Sequence, residues 1–194
     1  PEGSVLANAS TDNYAAGKVA ADGMYDKIKG RLAKGKKVRI GEVNQDATSE
    51  SITNRGLGFI DEMIDKLTAD GYKVFVTGNQ KYVGDSKGST GTEANADVIL
   101  EVRVPSQTTT ELCATEAGVI LNEADTIAIF GSNQVAAEGI ITANGTLQVC
   151  GTGDDQIIAV GFDSGSVIKG AVKGNTMYGA VTQAPVMIGS VLID

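Results

Sequence analysis

Thr126-Ile127-Ala128-Ile129-Phe130-Gly131-Ser132-Asn133-Gln134 opens as an apolar run of buried-strand length and closes on polar residues that can hydrogen-bond. The same ending returns in Val160-Gly161-Phe162-Asp163 and in Ala180-Val181-Thr182-Gln183. Helix-like segments separate these runs, which predicts a mostly parallel sheet. In an open α/β sheet the carboxyl ends of the strands meet at one crevice, so Asn133, Asp163 and Gln183 are expected to point to one place. Two amides and a carboxylate suit a ligand rich in hydroxyls.

The rest of the chain fits that frame. Residues 5–9 read as a short edge strand ended by Ser10-Thr11-Asp12-Asn13. Asp12 or Asn13 is the expected N-cap of a helix with Ala16, Val19, Ala20, Met24 and Ile28 on one stripe. A strand at 37–43 and a polar segment lead into a long helix at 48–70. There Phe59, Ile60, Met63, Ile64 and Leu67 recur at helical spacing and Gly71 is the C-cap. Strands follow at 72–77, 97–104 (read as alternating), 126–130, 157–161 and 178–182, with helices at 109–122, 134–143 and 166–172. Pro185 stands at the first turn of a last helix. Residues 78–96 are rich in Gly, Ser, Thr and Lys without periodicity and read as a loop insertion, mobile or functional. The expected fold is a three-layer α/β/α domain with a mostly parallel, Rossmann-like sheet.

Composition removes several function classes. A net charge of −8 disfavours nucleic acid and anionic membranes as partners, and the basic cluster at 27–37 reads as a solvated helix end and loop. The chain has no histidine, hence no usual general base, no usual triad and few routes to a zinc site. Cys113 and Cys150 match no metal spacing, and the strand map sets them at opposite ends of the sheet, against a disulfide. No apolar run approaches the roughly 20 residues of a membrane span.

Gly151-Thr152-Gly153 and Gly88-Ser89-Thr90-Gly91 lack the strand-before, helix-after setting of a phosphate cradle. Asn8-Ala9-Ser10 and Asn144-Gly145-Thr146 match glycosylation sequons, which arise often by chance. As a catalytic group Asp163 would need a second acid, a base or a metal set, and Asp154, Asp155 and Glu138 do not make one. Structural roles stay open for all three polar residues. Asp163 could cap the helix near Ser166, Asn133 the helix at Gln134, and Gln183 could be a surface amide before Pro185. No catalytic residue, metal or cofactor is expected.

With Thr11-Asp12-Asn13-Tyr14-Ala15-Ala16-Gly17 and Arg55-Gly56-Leu57-Gly58-Phe59, the chain resembles the type I periplasmic sugar-binding proteins along nearly its whole length. The ribose-, galactose- and xylose-binding members, which serve ABC transporters, are nearest in pattern. The resemblance implies one of two lobes joined by crossover strands: residues 1–183 as the C-terminal ligand-binding lobe, 184–194 as the start of a helix of the missing N-terminal lobe. The chain's opening at Pro1 and its end in mid-pattern at Asp194 fit that implication.

The resemblance also implies ligand contacts at Asn133, Asp163 and Gln183. The family's ligand-binding arginine falls at Thr53, two residues before Arg55, and its sugar-stacking aromatic falls near Thr108. Both departures remove groups that grip a sugar ring, so another sugar, a sugar alcohol or another small polar metabolite becomes credible. The implied protein binds a small sugar or polyol and delivers it to an ABC permease. It works outside the cytoplasm, periplasmic or as a cell-surface lipoprotein, with no nucleic-acid partner and no direct membrane insertion. The alternative is the effector-binding domain of a LacI-type regulator or a sugar-sensing periplasmic receptor. Ser164-Gly165-Ser166 after the Gly-Phe-Asp motif favours transport over the LacI type.

Overall fold

In a computed structural model, residues 12–182 are described. The Asp12 carboxylate accepts from the Ala15 N–H at 3.0 Å and caps α1 (Asn13–Ile28). The buried face of α1 runs through Gly17, Ala20, Ala21, Met24 and Ile28. Val19, expected on that stripe, is 56 % exposed, because it sits one residue, about 100°, off the line. α1 lies against α2 (Glu50–Ala69) at unusually short range. A Cβ on Gly17 would stand 2.0 Å from the Arg55 carbonyl oxygen, and one on Gly58 would stand 2.1 Å from that of Tyr14. Gly71, at φ +81°, ends α2 in the left-handed conformation that suits glycine.

Six strands form one sheet: β1 (Val38–Val43), β2 (Val74–Gly78), β3 (Val98–Arg103), β4 (Thr126–Gly131), β5 (Ile158–Phe162) and β6 (Gly179–Val181). Their order is β2-β3-β1-β4-β5-β6 and every pairing is parallel. α1 and α2 cover one face, where Phe59 stacks on Phe130 with ring centroids 4.5 Å apart. α4 (Thr110–Leu121) and α5 (Gln134–Leu147) pack together on the other, around Val43, Ile120, Ile129 and Ile140. Strands covered on both sides need continuous apolar runs. β3, expected to alternate, is accordingly buried from position 98 through 102. α6 (Ser166–Lys173) leads into β6.

One expectation is corrected here. Residues 78–96 are an ordered edge rather than an irregular insertion. α3 (Gln80–Asp85) buries Tyr82 completely, and the Tyr82 hydroxyl donates to the Asp46 carbonyl at 2.9 Å. Beyond it, Thr90 Oγ1 and Ser89 Oγ accept from the N–H groups of Val74 and Val76 at 3.0 and 2.9 Å. The segment thus satisfies the outer edge of β2, which would otherwise offer unpaired N–H groups to another chain. The cysteines are free and belong to one apolar cluster on the α4/α5 side, Cys113 in the first turn of α4 at the carboxyl end of the sheet and Cys150 beside Ile157 at its amino end, as expected. Burial pushes their thiols up to about 11 for Cys113 and about 12 for Cys150, which makes them inert core residues. The strand expected at 5–9 and the helix beginning at Pro185 lie outside the described residues.

Candidate functional site

The carboxyl ends of β1, β4, β5 and β6 stand side by side, and each carries a polar residue forward. At β4 the Ser132 N–H donates to the Val43 carbonyl at 3.1 Å, which extends the ladder and brings Asn133 up beside the end of β1. Asn133 is buried. Its Oδ1 accepts from the Ala136 N–H at 3.0 Å, capping α5, and its Nδ2 donates to Gln45 Oε1. The capping role and the place in the crevice therefore belong to the same side chain.

Asp163 follows β5 at φ +76°, a conformation that aspartate tolerates better than most residues. Its N–H donates to the Val181 carbonyl at 2.8 Å, and with Ser164, Lys169 and Thr182 it lines a groove of about 310 Å³. Gly165, not Asp163, holds the N-cap position of α6. Gln183 lies outside the described residues; Thr182 before it is exposed.

The two positions where the family pattern changes are built differently. Thr53 is buried in α2 and its hydroxyl donates back to the Ser49 and Glu50 carbonyls at 3.0 and 3.2 Å. Thr108 is exposed between β3 and α4, with its hydroxyl 3.4 Å from the Gln45 carbonyl.

Arg55 underlies the crevice. Its Nη1 donates to the Ser132 carbonyl at 2.7 Å, its Nη2 to Asn13 Oδ1, and its guanidinium lies 3.6 Å from the centre of the Phe162 ring. Burial works against its charge and Asp163 partly offsets that. One side chain of α2 thus ties α1 to the ends of β4 and β5.

Sequence reasoning passed over the end of β1. Gln45 bridges Asn133 and Asp46, donating through Nε2 to Asp46 Oδ2 at 3.2 Å. Asp46 also accepts from the Thr48 and Ser49 N–H groups at 2.9 and 2.7 Å. Burial works to raise this carboxyl, but those hydrogen bonds hold it below the usual range. The polar segment after residues 37–43 was visible in sequence. That β1 would be a central strand, beside β4, was not.

Below them Glu42 is only 2 % exposed and Asn44 fully buried, and neither side chain makes a hydrogen bond of good geometry among the described residues. They fit because residue 56 is glycine: a Cβ there would stand 2.8 Å from Asn44 Oδ1 and from Glu42 Oε1. Burial pushes the Glu42 carboxyl well above the usual range, with Asp61 adding to the shift and Asn44 opposing it. A raised carboxyl contributes stability fully below its unfolded value and loses it as pH rises through the folded one. Glu42→Gln, a neutral isostere, should therefore match wild type near pH 4 and melt about 2–4 °C higher at pH 8, read in paired thermal scans. Equal melting temperatures at both pH values would mean that Glu42 carries no such penalty.

No family model matches the sequence, and no curated protein does. Solved structures do match. An ABC transporter, LacI family transcriptional regulator from Brachyspira murdochii is 28 % identical, with a TM-score of 0.73 over 99 % of this chain and 56 % of that one. An ABC transporter solute binding protein from Agrobacterium vitis with bound D-fucose is 24 % identical, with a TM-score of 0.66 over 95 % and 51 %. An ABC transporter periplasmic solute binding protein from Actinobacillus succinogenes with bound D-allose is 17 % identical, with a TM-score of 0.65 over 95 % and 51 %. The chain spans about half the length of each. Its fold is that of one lobe of a type I periplasmic binding protein.

Proposed function

We propose that this chain is the ligand-binding lobe of an extracytoplasmic solute-binding protein, periplasmic or held at the cell surface. It takes a sugar or similar polyhydroxy compound between two lobes and hands it to an ABC permease. The observation that carries this reading is the placement of Asn133 and Asp163 at adjacent strand ends over the buried Arg55. An ionised aspartate accepts from two neighbouring hydroxyls while an amide donates to a third oxygen, which is recognition and not turnover. In this reading residues 1–183 form the lobe and 184–194 begin a helix of the second lobe. Gln183 joins Asn133 and Asp163 at the ligand, and Thr53 and Thr108 leave room where an arginine and an aromatic would stand. Closure about the hinge traps the ligand. The sugars named for two of the matching structures support a sugar here.

The description of the Brachyspira protein names a LacI family regulator beside an ABC transporter, and this favours one second reading, an effector-binding domain. A thermal-shift screen of sugars, polyols and nucleosides against the full-length protein containing this chain tests both. A ligand at 100–1,000 times its Kd stabilises by about 2.7–4.1 kcal/mol. A sugar hit without duplex-DNA binding supports transport, and sugar-dependent DNA binding supports regulation. A blank across all sugars and polyols would end the sugar reading.

The two-lobe reading also sets the affinity of the 194-residue chain alone. Micromolar binding is about −8 kcal/mol, and a lobe supplying about half of it keeps roughly −4 kcal/mol, or millimolar affinity. Calorimetry on this chain with the identified sugar should give a Kd near or above that level. A micromolar Kd would refute the half-site reading.

A further inference from the structure

We infer that Gln45 is a specificity-determining residue of this site, holding a fixed pair of amide donors toward the ligand; the inference rests on the solute-binding reading above. The orientation of both amides follows from their neighbours. The Ala136 N–H can only donate, so the Asn133 atom that faces it at 3.0 Å is the oxygen. Asn133 Nδ2 therefore faces Gln45, and the atom it meets there must be Oε1. Gln45 Nε2 is then turned to Asp46, whose carboxylate already accepts from two backbone N–H groups.

The chain runs from the first turn of α5 to an ionised carboxylate, with a one-way group at each end. Neither amide can flip without breaking two hydrogen bonds. Each nitrogen carries two hydrogens and the chain uses one of them. The half-buried Gln45 and its partner Asn133 thus keep N–H groups for a ligand, while each of their oxygens already accepts one hydrogen bond within the protein. Asp163, at the end of the neighbouring strand, supplies the complementary acceptor. The wall selects a ligand with an acceptor oxygen against Gln45 and Asn133 and a hydroxyl hydrogen against Asp163.

The test uses the full-length protein containing this chain, with D-allose and D-fucose as probes, and compares wild type, Gln45→Ala and Gln45→Glu. Calorimetry should show about tenfold weaker binding for Gln45→Ala. Gln45→Glu should lose about a hundredfold, because it replaces a donor by an acceptor beside the Asp46 charge. In 15N spectra of the unliganded protein, Gln45→Ala should also shift the side-chain amide signals of Asn133. Unchanged or tighter binding in Gln45→Ala overturns the inference, as does an Asn133 signal that does not move. If neither sugar binds wild type while the Asn133 signal does move, the amide pair is real but structural. The ligand role then falls together with this choice of sugar. Sugar binding by wild type that Gln45→Ala leaves intact sinks the Gln45 role alone and keeps the proposed function.

Discussion

Gly58→Ala should destabilise the domain by about 3 kcal/mol, which at this size lowers the melting temperature by roughly 6–12 °C. The cause is backbone contact. The added methyl would stand 2.1 Å from the Tyr14 carbonyl oxygen, and a main-chain atom cannot rotate away as a side chain can. α1 and α2 would have to separate, and α2 carries Arg55, whose reach to Asn13 and Ser132 depends on that spacing. Gly17→Ala meets the Arg55 carbonyl at 2.0 Å and should behave alike. The double variant should cost less than the sum, because one separation relieves both contacts. Gly23→Ala on the open side of α1 is the control: nothing lies within 4 Å of its Cβ. It should stabilise by about 0.5–1 kcal/mol through helix propensity alone. If Gly58→Ala melts with wild type while Gly23→Ala gains, the helices do not meet backbone to backbone.

The elements of the fold were legible wherever one period repeated long enough to register. The face of α2, with Phe59, Ile60, Met63, Ile64 and Leu67, supplies several turns of signal, and the apolar runs of β4 and β5 carry their own length limits. α3 has six residues and buries only Tyr82, so no period can appear in it. Its order comes from contacts distant in sequence: the tyrosine hydroxyl on the Asp46 carbonyl and the Ser89 and Thr90 hydroxyls on β2. Val19 was misplaced for the opposite reason. Its hydrophobicity suggested the core, but the close approach of α2 reserves that face for Gly17, Ala20 and Ala21.

The candidate site was legible where a strand hands over to a polar residue, at Asn133 and Asp163. It was hidden at β1, although Gln45 and Asp46 also follow a strand. Strand order is a tertiary fact, and only the order β3-β1-β4 sets Gln45 against Asn133. Glu42 was hidden in another way. A charged residue inside an apolar strand reads as a solvent-facing position. Here it is enclosed, because Gly56 leaves space for its carboxyl beneath α2.

Asp163→Asn should weaken sugar binding by the full-length protein about a hundredfold while leaving its fold intact, and the choice of asparagine makes the result interpretable. At φ +76° an alanine would add backbone strain to the loss of the carboxylate, whereas asparagine tolerates the left-handed region nearly as well as aspartate. The backbone link from the Asp163 N–H to the Val181 carbonyl also survives. What changes is the charge and half of the accepting capacity. Two charge-assisted hydrogen bonds to adjacent hydroxyls contribute about 3–6 kcal/mol together, so losing most of that costs about a hundredfold in Kd. Loss of the carboxylate also removes the charge that partly offsets the burial of Arg55, which predicts a small drop in melting temperature beside the large drop in affinity. Calorimetry and a thermal scan on the same preparation separate the two. A hundredfold loss with a melting temperature within a few degrees of wild type makes Asp163 a ligand contact. Unchanged affinity with a large fall in melting temperature would make it a structural residue, and the sugar-binding wall would then have to be sought at other residues.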